Sequence, residues 1–200
     1  MTLPAPDLPL PFGYKCTWLT VRSEDALEVA NSLGLEGQYF ASWWEGIEAA
    51  YDFTSGRVFV TPPIKGWVLV VSKHLPHVRT ATDAPERLSP LLMRLGQHFE
   101  EVQYFGTHRT SDWHAWAKVY EGRLARRYSA IGPEVMWDEG KPTAAEKFLR
   151  LEVRAPFEED KYPTERMVMH VAEQWSVNPT RLDEMDLPPS LGILGKRMEW

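Results

Sequence analysis

The sequence is poor in cysteine and contains no long hydrophobic run. Cys16 is the only cysteine among 200 residues, which excludes an internal disulfide and the multi-cysteine zinc and iron–sulfur frameworks. No stretch of about 18 apolar residues occurs, and residues 1–14 lack the basic start and apolar run of a signal peptide. We therefore expect a cytoplasmic protein with neither a membrane span nor a cleaved leader.

An excess of basic residues is also absent. The chain has 22 Lys and Arg against 28 Asp and Glu, which gives a formal net charge of -6, and the acidic residues are spread over both halves. No basic tail or arm supplies the positive surface that nucleic-acid binding requires. Because an acidic surface steers basic proteins toward itself, the composition favours a basic protein partner over nucleic acid.

What the sequence does have is the composition of a folded domain, with 44% hydrophobic and 25% charged residues. A chain of this length buries enough surface to fold without disulfides or structural metal. Prolines at positions 4, 6, 9 and 11 predict an extended tail or surface strap over residues 1–13. A single domain is then expected over residues 14–200.

Short β-rich segments dominate the predicted elements. Residues 57–61 and 66–72 predict a hairpin, because they flank a four-residue loop that contains two prolines. The second run is unbroken apolar from Trp67 to Val71, which is typical of a central strand covered on both faces. Residues 103–137 predict an antiparallel meander of short strands, with a tight turn at Glu121-Gly122.

Capping residues indicate where helices begin. Ser42 and Glu45 have the capping-box spacing ahead of an apolar stripe that includes Trp44, and Thr143 and Glu146 repeat that spacing. Three further helix starts are predicted at Ser23, Ser89 and Thr164.

Consecutive strands outnumber alternating strand–helix units, which favours the α+β class. We expect a single α+β domain with a largely antiparallel sheet and helices packed on it. Residues 183–200 are predicted to be irregular and to end on a small edge strand.

Motifs for metal binding or nucleophilic catalysis are weak. His108, Asp112 and His114 are metal-ligand types, but neither one helix nor one strand presents that spacing as a convergent set, so we expect no metal and no cofactor. Cys16 lies in a predicted strand away from any helix N-terminus, which argues against a reactive thiol.

Carboxylate pairs leave an enzymatic interpretation open. Glu45 and Glu48, or Asp138 and Glu139, could serve as acid and base if the fold held them roughly 5 to 9 Å apart. The alternative interpretation of such pairs is a solvated face.

Tryptophan is unusually frequent, with nine in the chain. Trp113 and Trp116 fall on opposite faces of one predicted strand, so we expect one of them to be exposed as a binding anchor. Arg126 is predicted to face away from Arg123 and Arg127 on the next strand, and all three are expected to pair with acidic residues on neighbouring strands.

Residues 116–142, from Trp-Ala-Lys-Val-Tyr-Glu-Gly-Arg to Val-Met-Trp-Asp-Glu-Gly-Lys-Pro, resemble uncharacterised bacterial proteins of toxin and immunity gene neighbourhoods. The resemblance implies an immunity-type protein that binds a cognate toxin enzyme and occludes its active site. The alternative is a small hydrolase that uses carboxylates or the His108, Asp112 and His114 group. The residues predicted to bind the partner are Glu158, Glu159, Asp160, Asp138, Glu139 and Trp113.

Overall fold

A computed structural model describes residues 3–77, 87–149, 162–197 and 199–200. The strands are β1 Thr17–Arg22, β2 Glu36–Ala41, β3 Arg57–Val60, β4 Trp67–Val71, β5 Glu101–His108, β6 Trp113–Tyr120, β7 Arg123–Ile131, β8 Glu134–Glu139 and β9 Gly192–Lys196. The helices are α1 Ala26–Ser32, α2 Trp43–Tyr51, α3 Leu88–Gly96, α4 Ala144–Phe148 and α5 Glu165–Trp175, with a 3₁₀ helix over Pro179–Glu184. The strands form one sheet in the order β2-β9-β3-β4-β1-β5-β6-β7-β8.

Every pair of neighbouring strands in this sheet is antiparallel, which confirms the sheet-dominated α+β prediction. The β3–β4 hairpin forms as expected, and all five residues of β4 are buried between β3 and β1. The β5–β8 meander also forms. Glu121 and Gly122 both have positive φ, 48° and 69°, as a tight turn between twisted strands requires.

Helices cover both faces of the sheet, so two hydrophobic cores form. On one face, α2 and α5 pack against Trp18, Phe59 and Phe105. On the other, α1 and α3 pack against Leu19 and Val70. Alternation along each strand sends neighbouring side chains to opposite cores, and this explains why the central strands are almost wholly apolar.

The two strands at one side of the sheet depart from expectation. β2 was not predicted, because an exposed edge strand beginning Glu-Gly-Gln carries no apolar alternation. The C-terminal strand β9 is not an edge strand, since it inserts between β2 and β3. Its pairing partners are 133 to 160 residues away in the chain, and local pattern carries no information on such distant pairing.

Three of the five predicted helix caps are confirmed, at Ser42, Thr143 and Thr164. Ser23 is wrong as a cap, because the Asp25 carboxylate accepts the first free N–H groups of α1. Ser89 is also wrong, since α3 already begins at Leu88 and the Ser89 hydroxyl accepts a hydrogen bond from an arginine of β7.

The proline-rich N-terminal segment lies against the domain as a strap. Phe12 is buried, and its N–H donates to the carbonyl of Pro179 at 3.0 Å. Asp7 accepts hydrogen bonds from the backbone N–H groups of Trp43 and Trp44 at 2.5 and 2.9 Å, which gives α2 a second capping group. No helix in the described residues has the length and apolar character to cross a membrane.

Candidate functional site

The predicted partner-binding residues do not form one surface in the described structure. Glu158, Glu159 and Asp160 lie outside the described residues. Asp138 and Glu139 on β8 are engaged within the chain, at 2.5 Å from Arg126 and 2.7 Å from Arg127. Their carboxylates therefore already have cationic partners.

The expectation that Trp113 or Trp116 is exposed is wrong, because only 2% of Trp113 and none of Trp116 is accessible. The two do occupy opposite faces of β6. Trp113 is covered because its ring lies across Gly106 on β5, where a Cβ would sit 2.2 Å from the ring. Its indole N–H donates to the Ser129 hydroxyl at 3.1 Å.

Arg126 is a structural group. It is fully buried, and its Nε lies 2.7 Å from the equally buried Glu146 carboxylate of α4. The same carboxylate accepts the indole N–H of Trp116 at 3.0 Å and bonds to Thr143 at the start of α4. The strand thus presents Arg126 and Arg127 to opposite faces, as alternation predicts, and the Arg126–Glu146 pair fixes α4 to the sheet. A register shift between Lys118 and Val119 interrupts the alternation and places Arg123 opposite Tyr120, on the same face as Arg126, so the prediction is wrong for Arg123.

His108, Asp112 and His114 do not form a site together. The ring of His108 bonds to Ser111 at 3.0 Å, whereas the buried ring of His114 bonds to Thr107 at 3.0 Å. Within the described ranges, no group of three His, Cys, Asp or Glu side chains is placed to hold a metal ion.

A concave surface with clustered charge lies beside α2, a groove of about 500 Å³ that we call the α2 groove. Three carboxylates line its helical wall, Glu45, Glu48 and Asp52, spaced so that they follow one face of the helix. The opposite wall comes from the sheet. The complete lining is Tyr39, Glu45, Glu48, Ala49, Asp52, Ser55, Arg57 and Leu194.

The sequence of α2 explains why its acids face outward. Trp43, Ile47 and Ala50 are buried on the sheet at helical spacing, which leaves the carboxylates on the solvent side. Trp44 is an exception to the predicted apolar stripe, because 63% of it is exposed. An apolar residue at the boundary of the stripe can point either way, and here it lies on the helix surface beside Glu45 and Glu48.

Contacts across the groove hold its two walls together. The Tyr39 hydroxyl donates to Glu45 at 3.0 Å, and the Arg57 guanidinium lies 5.7 Å from the centre of the Tyr39 ring. Burial and the hydrogen bond to Glu45 raise the pKa of Tyr39, so it remains a neutral donor. At the far end, hydrogen bonds from the N–H and hydroxyl of Thr54 lower the pKa of Asp52 and keep it ionised.

Sequence reasoning identified the carboxylates but missed the groove. Glu45 and Glu48 were singled out as a pair, yet Tyr39, Arg57 and Leu194 reach the same place from three different strands. One of those strands, β2, carries no signal of its own in the sequence.

Residues 68–165 match a protein family of unknown function, DUF6928. The matched segment runs from β4 to the first residue of α5, and so contains the β5–β8 meander and the Arg126–Glu146 pair but not the α2 groove. No curated protein and no solved structure matches the chain.

Proposed function

We propose that the chain is a cytosolic immunity-type protein that neutralises a basic toxin enzyme by occluding its active site, with the α2 groove as the docking surface. The observation that carries the proposal is the row of carboxylates at Glu45, Glu48 and Asp52 along one wall of the groove. Three carboxylates against the single guanidinium of Arg57 leave the groove lining net negative, and a concave surface of net negative charge attracts cationic side chains. An enzyme that acts on an anionic substrate presents such side chains around its own active site.

Aromatic side chains beside the groove support a protein partner. Tyr39 lines the groove and is 40% exposed, and Trp44, one turn before Glu48 on α2, is 63% exposed. Tyrosine and tryptophan are enriched among the residues that dominate binding energy at protein interfaces, because they bury a large area with few rotatable bonds. The groove thus combines acidic steering with two candidate anchors.

The groove is also rigidly held, which lowers the entropic cost of binding. Ser42 and Asp7 both accept backbone N–H groups at the start of α2, and the buried face of the helix packs into the core. A surface that is already in its bound shape loses less conformational freedom on association.

Affinity capture with matched variants tests the proposal. Wild-type chain and the Glu45→Lys/Glu48→Lys variant would be immobilised and exposed to an extract of the source organism. We expect a basic protein to bind the wild type and to be lost from the variant, because reversed charges repel a cationic site. The wild type should abolish the captured protein's enzymatic activity at one-to-one stoichiometry.

The Glu100→Lys/Glu134→Lys variant is the matched control. This variant makes the same change in net charge as the groove variant. Like Glu45, Glu100 accepts a hydrogen bond from a tyrosine hydroxyl, that of Tyr120 at 3.3 Å. Glu100 precedes β5 and Glu134 begins β8, so both residues lie away from the groove. Equal capture by the groove variant and the control, or a captured protein whose activity is unaffected, would contradict the proposal.

A small hydrolase is the second candidate, and the presence of Glu45 and Glu48 in one groove is the observation in its favour. General acid catalysis by a carboxyl group needs apolar surroundings that keep the group protonated, whereas this groove is open to solvent. The isosteric changes Glu45→Gln and Glu48→Gln separate the two functions. In a hydrolase each would abolish turnover, while in a binding protein each would weaken association only modestly.

A further inference from the structure

A second concave site lies beyond the C-terminal end of α2, in a cleft of about 120 Å³ between the ends of β1, β4, β5 and β6. We call it the lysine cleft. Its lining consists of Lys15, Cys16, Thr17, Phe53, Lys73, His77, Thr107, His108 and Trp113.

The charge of the lysine cleft is opposite to that of the molecule. Its lining includes two lysines and two histidines but no carboxylate, in a chain whose net charge is -6. Among the described residues, no carboxylate lies within ion-pair distance of Lys15 or Lys73. The nearby Glu165 is matched by Arg109 at 3.2 Å. Within the described part of the chain, the two lysines of the cleft therefore have no carboxylate as an ion-pair partner.

Contacts with aromatic rings hold the Lys73 ammonium in position. The Lys73 ammonium lies 5.1 Å from the ring centre of Tyr51 and 5.7 Å from that of Phe53. Ring faces attract the ammonium and hold the flexible side chain near the cleft. Tyr51 is in turn fixed, because its hydroxyl accepts the N–H of Gly13 and donates to the carbonyl of Tyr14, both at 3.1 Å.

The remaining walls are apolar or neutral. Phe53 and Trp113 contribute ring surface, and the Trp113 ring is held by its hydrogen bond to Ser129. Cys16 is buried, and burial raises its pKa to about 12, so it contributes a neutral thiol and no nucleophile. Cationic groups beside an apolar wall suit an amphiphilic ligand better than a fully hydrated ion.

We propose that the lysine cleft binds a small organic acid, with its carboxylate against Lys73 and Lys15 and its apolar body against Phe53 and Trp113. The volume of the cleft limits the size of the ligand. A cavity of about 150 Å³ holds a molecule the size of benzene, so a cleft of about 120 Å³ fits a short-chain acid such as butyrate. This binding is independent of the docking surface at the α2 groove.

The probes are butyrate, its neutral isostere butyramide and inorganic phosphate, each titrated into the full chain and followed by ¹H–¹⁵N NMR. We expect saturable shifts confined to the amides of Cys16, Thr17 and Thr107 and to the Trp113 indole. Butyrate should bind at least tenfold more tightly than butyramide, because only the acid uses the lysines, and more tightly than phosphate, because only the acid uses the ring surface.

Two variants locate the binding in the cleft. Lys73→Met should weaken butyrate binding at least fivefold, and Lys15→Met provides a second test should Lys73→Met alter the fold. The matched control is Lys147→Met, an exposed lysine on α4, which should leave binding unchanged. The proposal is overturned by the absence of localised shifts, by equal affinity for butyrate and butyramide, by tighter binding of phosphate, or by unaltered binding in both cleft variants.

Discussion

At the scale of single residues, the hydrogen bonds around His114 determine which of its ring nitrogens carries a proton. The Thr107 hydroxyl lies 3.0 Å from Nδ1 of His114 and 3.2 Å from a Glu165 carboxylate oxygen. A hydroxyl has one proton, and a carboxylate can only accept. Thr107 therefore donates to Glu165 and accepts from His114, which places a proton on Nδ1 of His114.

The buried His114 should make stability depend on pH. Burial lowers its pKa from 6.5 to about 4, so between these values the unfolded chain takes up a proton that the folded chain does not. The free energy of unfolding should therefore be highest above pH 6.5 and should fall by up to about 3 kcal/mol as the pH drops to about 4. Urea unfolding at a series of pH values measures this loss.

The variant His114→Gln isolates the effect, because glutamine does not titrate. The difference in unfolding free energy between wild type and this variant should shrink steadily as pH falls through that interval. The exposed His98 provides a control substitution, His98→Gln, that should retain the wild-type dependence. A constant difference between wild type and His114→Gln would show that His114 binds its proton equally well in both states.

Cys16 offers a second test at this scale. Because burial raises its pKa to about 12, almost no thiolate exists at about pH 8, and the side chain is also inaccessible. The folded chain should resist iodoacetamide, and the same chain in urea should react at the rate of a free cysteine. Mass spectrometry of the alkylated protein distinguishes these states, and rapid labelling of the folded chain would contradict the expected burial.

At the scale of elements, the Arg126–Glu146 pair determines where α4 lies. Both side chains are fully buried, so removal of Arg126 leaves the Glu146 carboxylate without its cation, and removal of Glu146 leaves Arg126 with the partly exposed Asp138 alone. Glu146→Leu should lower the free energy of unfolding by about 3 to 5 kcal/mol, and adding Arg126→Met should recover much of that loss. Chemical denaturation of the two single variants and the double variant measures the coupling. Additive losses would contradict a direct buried pair.

The central position of β4 gives a prediction for core packing. Leu69 lies in the middle of the strand with no accessible surface, and it contacts the core shared by α2 and α5. Leu69→Ala should cost about 2 to 5 kcal/mol through lost burial and a residual cavity. Leu124→Ala on β7, where the side chain is 37% exposed, serves as the comparison and should cost far less. Similar losses at both positions would contradict the packing described for β4.

The elements show which features the sequence predicts and which it does not. Capping boxes at Ser42 and Thr143 and the apolar run from Trp67 to Val71 are local signals, and the structure follows them. β2 was missed because an exposed edge strand needs no apolar alternation. β9 was misplaced because its neighbours β2 and β3 are distant in the chain.

In the candidate site, too, local features could be predicted from the sequence and contacts between distant segments could not. Helical spacing placed Glu45 and Glu48 on one face of α2, but the sheet wall of the groove depends on strand order that no local pattern encodes. Trp113 was misjudged for a related reason. Its burial depends on Gly106 of the neighbouring strand, and alternation within β6 cannot reveal that contact.

At the scale of the whole molecule, two concave surfaces carry opposite charge. The α2 groove presents three carboxylates, and the lysine cleft presents two lysines without a carboxylate. Residues 52–55 link the two sites, since Asp52 and Ser55 line the groove and Phe53 lines the cleft. An acidic chain that segregates its charge in this way can attract a cationic protein at one surface and a small anion at the other.

The association rate of the captured partner, measured against ionic strength, tests the docking role of the α2 groove most directly. For wild type and for the control Glu100→Lys/Glu134→Lys, the rate should fall steeply as salt screens the attraction between the acidic groove and a basic partner. For Glu45→Lys/Glu48→Lys, the rate at low salt should be at least tenfold lower and its salt dependence should be nearly flat. Identical rates and salt dependences for all three proteins would show that the groove does not guide the partner, and would contradict the proposed function.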